Sequence, residues 1–292
     1  MDVSDVLTNL YGYKFISWLD KPNTFLTQVG KKKLSYWRER DLLEYHLNFR
    51  DRLFSEFGIL CNRMIRTLDG FPYIQFEEGY LTVHDYIEEQ FSEDEYPEMK
   101  GYLLASLLGT GDLTECPPPY NKGSVFPFRQ TINALTSIKK SHSDSYSLLV
   151  SLIPEVKKRL SDTDQEGLPP LPYLDHQLKG VMGQVFFEAS DEPPQPAYKI
   201  IQRELVNWQH SMNRREVKCC FGAFVNGVDI EMNARVYQVL IAPWEWRDCI
   251  LSLQKNSNVD QTMARFSEKW EAVRLMIRTL QLSIEDRRVS IE

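Results

Sequence analysis

Residues 31–88 read "KKKLSYWRERDLLEYHLNFRDRLFSEFGILCNRMIRTLDGFPYIQFEEGYLTVHDYIE". The opening "KKKLSYW" has the pattern of a strand, on which Lys33 and Ser35 share a face. Leu43, Leu47, Leu53 with Phe54, and Phe57 then recur at helical spacing. A long amphipathic helix follows from that spacing, and Gly58 sits just past its end, where a helix stop belongs. The rest reads as two strands joined by Asp69-Gly70, with "LTVHDYIE" as an edge-like segment leading to acidic sequence.

Upstream, "YKFISWL" (13–19) and "TFLTQVG" (24–30) are aromatic and β-branched runs separated by "DKPN", which predicts a hairpin. The order is therefore β-β-α-β-β, closed by the acidic stretch 88–98. Beyond it the character changes. "MKGYLLASLLGTG" (99–111) reads as a helix stopped by glycines, and 116–128 as a proline-rich loop. Residues 128–160 read as helix, break, helix, and 166–175 and 192–198 as loops. Residues 197–212 form a helix with Ile200, Ile201, Leu205 and Trp208 on one face. "VKCCFGAFVNGVDI" (217–230) and "VYQVLI" (236–241) read as a strand pair. The tail, 260–284, is a long helix with Met263, Phe266, Trp270, Val273 and Ile277 in register. The fold class is α+β in two lobes: a small β-rich N-lobe over 1–88, and a mainly helical C-lobe over 89–292 that contains one hairpin.

The 292 residues suffice for two lobes with a sizeable core. A net charge of −7 argues against a nucleic-acid partner, which needs a basic face. Cys61, Cys116, Cys219, Cys220 and Cys249 form no regular framework and read as reduced thiols. The five histidines give no zinc spacing, so no metal is expected from them. No apolar run approaches the roughly eighteen residues of a membrane span. The N-terminus lacks the pattern of a secretory signal, so the expected location is cytoplasmic.

The order of these pieces resembles the protein-kinase-like fold in its aminoglycoside/choline phosphotransferase-type version. More narrowly, 31–88 resembles the N-lobe of bacterial spore-coat kinase-like proteins (CotS-type, including the YutH branch). Their T-x-D-G-x-P-Y hairpin is matched here by Thr67, Asp69, Gly70, Pro72 and Tyr73. "APWEWRDCILSL" (242–253) resembles the segment after that family's metal-binding strand, with Arg247-Asp248 at its R-D. The resemblance is thin between 100 and 200. It implies a five-stranded antiparallel N-lobe sheet.

Phosphoryl transfer needs a cation on the nucleotide phosphates, a carboxylate at the acceptor hydroxyl, and an acid with an Asn on Mg²⁺. Aligned on the family's pattern, Ser35 stands where the strand lysine belongs, with Lys33 as the nearest substitute. Asn226 takes the Asn of the H-x-D-x-x-x-x-N loop, which puts Phe221 on its Asp and Cys219 on its His. The family's metal-binding Asp becomes Ala242, and Glu245 is the nearest acid. No acid lies between Glu216 and Asp229 or between Val236 and Trp244, and no Gly-rich phosphate loop is present. The resemblance so aligned implies a pseudokinase that binds protein partners, with spore-coat proteins and a spore-coat location as its setting. No cofactor is expected. The alternative is a small-molecule phosphotransferase using ATP and Mg²⁺, with Lys33, Asp229 and Glu245 as relocated groups for phosphate, base and metal.

Overall fold

The structure is a computed structural model that describes all residues except 1, 22, 92–95, 122–124, 161–166, 175–177, 256–257 and 292. The "DKPN" turn, the acidic stretch after residue 88 and the loops around 116–128 and 166–175 lie partly outside the described residues. The chain begins with α1 (Val3–Tyr11), β1 (Ser17–Trp18), β2 (Thr24–Thr27), β3 (Gly30–Trp37), α2 (Arg40–Phe57), β4 (Leu60–Cys61), β5 (Ile74–Phe76) and β6 (Gly79–Asp85). Next come α3 (Pro97–Leu113), α4 (Phe128–Ser137), α5 (Ser143–Ser151) and α6 (Ile153–Leu160). Short strands return as β7 (Pro170–Leu171), β8 (Lys179–Val181), β9 (Gln184–Phe187) and β10 (Gln195–Pro196). Helices α7 (Ala197–Ser211), α8 (Arg214–Gly227), α9 (Ile230–Ile241), α10 (Trp244–Gln254) and α11 (Val259–Ile291) complete it. Two compact units result: 1–99 with 106–121 and 170–195, and 100–105 with 122–169 and 196–292.

In the first unit a five-stranded sheet runs in the order β1-β2-β3-β6-β5, every pair antiparallel. Alternation along β3 splits its side chains between two cores. Leu34 joins Phe25, Val83 and Leu7 of α1 on one face. Trp37 joins Leu42 and Leu43 of α2 on the other. Helix α2 ends as its sequence requires, with Gly58 at φ 68° donating its N–H to Leu53 and Phe54 carbonyls. Gly79 is needed for a different reason: a Cβ there would lie 2.4 Å from the Trp37 carbonyl across the β3–β6 pair.

The reading of 60–88 needs correcting. The hairpin turn is at Glu77-Glu78, between β5 and β6, while Asp69-Gly70 caps a tight turn closed by the Gly70 N–H to the Thr67 carbonyl. The stretch 79–85 is an inner strand of the sheet rather than an edge. Helix α3 runs through the glycines expected to stop it.

The second unit is mainly helical, and here the largest correction falls. The expected strand pair over 217–241 is two helices, α8 and α9. Cys220, Phe221, Phe224 and Val225 are buried at helical rather than alternating spacing. Asn213 and Glu216 form a complete capping box that starts α8. Gly101 and Gly227 bring α3 and α8 together, since a Cβ at Gly101 would meet the Cys220 carbonyl at 2.0 Å. Helix α11 packs against α7, α8 and α10. Among the described residues no helix is long and apolar enough to cross a membrane.

Candidate functional site

A two-residue hairpin joins β8 and β9 in the first unit. Met182 and Gly183 turn it with φ of 49° and 76°, the two positive values a two-residue hairpin turn requires. Strand β9 then pairs in parallel with β4, Leu60 opposite Phe186 and Cys61 opposite Phe187. Asn62 extends this pairing by side chain. Its Oδ1 accepts from the Ala189 N–H at 2.9 Å, and its Nδ2 donates to the Ala189 carbonyl at 3.0 Å. The segment 187–191 is thereby fixed beside the sheet, and it carries Glu188 and Asp191.

Both acids meet cations. Lys33 Nζ donates to Glu188 Oε1 at 2.9 Å, and both side chains keep some exposure. Asp191 receives Arg50 Nη2 at 2.9 Å, and the Ser35 hydroxyl is among the groups that lower its carboxyl. Arg50 comes from the sheet-facing side of α2 and is fully buried. Its guanidinium also donates to the carbonyls of Asn62, Ala189 and Ser190, and lies 5.8 Å from the Trp37 ring centroid. Burial by itself would raise the Asp191 carboxyl, but the Arg50 charge, with His84 and the two hydrogen bonds, holds it below the ordinary value.

His84 on β6 closes the cluster. Trp37 Nε1 donates to Thr82 Oγ1 at 2.8 Å, and the Thr82 hydroxyl donates to His84 Nε2 at 2.8 Å. Nδ1 then carries the proton and donates to the Asn62 carbonyl at 2.8 Å. Burial and the neighbouring Arg50 push His84 down to about 4. His46 donates from Nε2 to the Glu192 carbonyl at 3.0 Å, and burial followed by Arg50 pushes it down to about 3. Both imidazoles are neutral at pH 7.

Of the residues picked out from sequence, Lys33 and Ser35 are on one strand face and join this cluster. The others do not. Phe221 is buried in the middle of α8, 6.3 Å from the Trp208 ring. Asn226 is exposed in the last turn of α8, and Ala242 is buried just beyond α9. Asp229 is exposed and precedes α9, accepting the Asn233 N–H on its backbone carbonyl. Glu245 is buried in the second unit and takes Arg159 Nη1 at 2.6 Å, while Arg159 also donates to the carbonyls of Ile241 and Ala242. Glu188, Asp191, Arg50 and His84 were missed. The signal for Glu188 was "VMGQVFFE" (181–188), a turn pair flanked by apolar strand residues and followed at once by an acid. The segment ahead of β8 carries Asp175 and His176 in sequence, but 175–177 lie outside the described residues.

Mg²⁺-nucleotide chemistry asks for an acid free to take the metal. Asp191 is bound to a buried guanidinium and Glu188 to an ammonium. Among the described residues no group of three or more His, Cys, Asp or Glu could hold a metal ion. The arrangement is a charge-balanced cluster rather than an open acidic site.

No protein-family model and no curated protein sequence matches the chain. Solved structures do. An aminoglycoside phosphotransferase from Alicyclobacillus acidocaldarius aligns with a TM-score of 0.52 at 13% identity, over 98% of this chain and 97% of that one. A spectinomycin phosphotransferase in its AMP-bound complex aligns with a TM-score of 0.53 at 10% identity, over 94% of this chain and 96% of that one. A choline kinase from Cryptosporidium parvum aligns at 0.48 with 9% identity, over 96% and 98%. The chain thus has the protein-kinase-like fold that it shares with the two phosphotransferases aligned above 0.5.

Proposed function

We propose that this is a kinase-fold protein that has lost phosphoryl transfer and acts by binding protein partners. The observation that carries this reading is the Arg50–Asp191 pair. A kinase uses a strand lysine paired with an acid on the following helix, and keeps a further acid for Mg²⁺. Here that helix, α2, turns Arg50 toward the sheet, and Asp191 is the acid it holds. For Asp191 to take Mg²⁺ it would have to release Arg50, leaving a fully buried cation unpaired. Ser35 adds to this, since it gives Asp191 a hydroxyl where the resemblance calls for a lysine. Assembly of a bacterial spore coat is the proposed setting, and it rests on the resemblance carried by Thr67, Asp69, Gly70, Pro72 and Tyr73.

One observation favours a second reading, a small-molecule phosphotransferase. Lys33 and Glu188 are a strand lysine and an acid following the hairpin, and they face each other at 2.9 Å. In that reading Lys33 holds phosphate and Glu188, rather than Glu245, is the metal acid for MgATP.

Thermal unfolding with millimolar ATP, with Mg²⁺ and then with chelator, separates the two. A ligand that binds only the folded state at about a hundred times its Kd adds about 2.7 kcal/mol and must raise the midpoint. The first reading expects no Mg²⁺-dependent rise. A Mg²⁺-dependent rise that disappears in both Lys33→Met and Glu188→Gln overturns it in favour of the second.

A further inference from the structure

A cavity of about 560 Å³ opens in the first unit between α2 and the segment 71–80. Arg40, Glu44, Leu47 and Asn48 form one wall, spaced along a single helix face. Phe71, Tyr73, Gln75 and Tyr80 form the other. Its volume lies within the range of ordinary ligand sites.

Three features define what it takes. First, its two charges oppose each other. Arg40 Nε donates to Glu44 Oε1 at 2.8 Å, and the Tyr73 hydroxyl donates to the same oxygen at 3.3 Å. The walls therefore carry no net charge to select a charged occupant. Second, the side-chain amides of Asn48 and Gln75 are exposed and make no hydrogen bond to a described residue, so the walls offer donors and acceptors beside an aromatic surface. Tyr73 and Tyr80 pack edge to face at 5.5 Å, and Phe71 on the rim is 62% exposed. Third, Gln75 is on β5, which among the described residues pairs only with β6 and ends the sheet. No described backbone group bonds to its outer edge, and such an edge is the usual template for an added strand.

We infer that this cavity docks a short, extended, uncharged segment of a protein partner. The segment adds along β5, its peptide groups meet the amides of Asn48 and Gln75, and one aromatic or branched aliphatic side chain enters between Leu47 and the Tyr73–Tyr80 pair. The free strand edge favours a peptide over a small molecule, which would leave that edge unpaired. This inference gives the partner-binding reading a surface and rests on it.

The test is selection of a random peptide library displayed on phage against the full chain, then titration of the enriched peptides. Uncharged sequences with a shared bulky residue are expected, with binding weakened about tenfold or more by Leu47→Arg and by Phe71→Ser. Phe71 is exposed on the rim, so its variant reports binding even where Leu47→Arg disturbs packing. Met182→Ser, at a turn residue 95% exposed, is expected to bind as the parent does. Enrichment that ignores Leu47→Arg and Phe71→Ser, highly charged sequences, or no enrichment overturns the proposal. So does N-acetylphenylalanine amide binding as tightly as the selected peptides, which would assign the cavity to small molecules. The selection reads nothing of nucleotide, so its failure is distinct from a Mg²⁺-dependent ATP shift.

Discussion

Each of the two units buries an arginine against a carboxylate, and the two carboxylates are biased in opposite directions. Asp191 in the first unit is held below its ordinary value, because Arg50, His84 and the Ser35 hydroxyl outweigh its burial. Glu245 in the second unit is raised, because burial dominates over Arg159. The geometry explains the difference. Asp191 keeps part of its surface in contact with solvent and receives donors from two elements. Glu245 is 2% exposed, and its Oε2 has no hydrogen-bond partner among the described residues. A pair of charges alone does not set ionisation; the count of donors and the access of water do. Glu245 therefore braces helices, with Arg159 also 4.9 Å from the Trp270 ring, whereas Asp191 belongs to a polar cluster at the sheet.

The largest expected effect is at Arg50. Arg50→Met leaves Asp191 and three carbonyls without their donor and is expected to cost about 3–5 kcal/mol in urea unfolding. A loss under 1 kcal/mol would mean that the pair is not formed in solution.

Next come the acids themselves. Asp191→Asn is expected to cost about 2 kcal/mol at pH 7 and Glu245→Gln about 1 kcal/mol. The pH trends should oppose each other. Asp191, depressed in the fold, contributes stability above the ordinary carboxylate value and loses it as pH falls through its folded value. Glu245, raised in the fold, contributes below the ordinary value and loses that contribution as pH rises toward the folded value. The cost of Asp191→Asn should therefore shrink as pH falls below about 4, and that of Glu245→Gln should shrink as pH rises above about 4.5. Parallel trends would break the comparison.

The histidines sharpen it further. His84 and His46 are lowered to about 4 and about 3, so their contribution is present above the unfolded value near 6.5 and is lost as pH falls toward those values. Unfolding near pH 5 should take up about one proton per histidine. His84→Gln should remove one of them, measured as a flatter dependence of the urea midpoint on pH. An unchanged slope would mean that His84 titrates normally.

The smallest effect on stability is expected at the partly exposed Lys33–Glu188 pair. Lys33→Met should cost about 1 kcal/mol or less. A larger loss in chemical unfolding would put Lys33 among the buried structural charges with Arg50.

Much of the fold was legible. Helix α2 carried its period and its Gly58 stop, and the 13–30 hairpin its β-branched runs and turn. The helices within 197–212 and 260–284 carried apolar stripes at helical spacing, whereas 128–160, read as two helices about a break, holds three. The misreading at 217–241 came from short apolar runs, "CCF" and "VYQVLI", which period alone cannot divide between strand and helix. The capping box of Asn213 and Glu216 was the local signal that would have settled it. The site was half legible. Lys33 and Ser35 were found because alternation along a strand fixes a shared face. Arg50 was hidden because an arginine on an amphipathic helix ordinarily reads as solvated. Glu188 and Asp191 were hidden because no strand pair was expected between the loops at 166–175 and 192–198.

By itself the sequence determined the local features: where chains turn, which helix faces are apolar, where glycine ends α2, and the α+β order of the pieces. Those follow from interactions within a few residues. Only the tertiary structure decided that β9 lies beside β4, that Asn62 fixes the segment after it, and that Arg50 is brought to Asp191. Those contacts span more than a hundred residues. Their energies depend on burial and on which donors converge, and neither is set until the chain has folded.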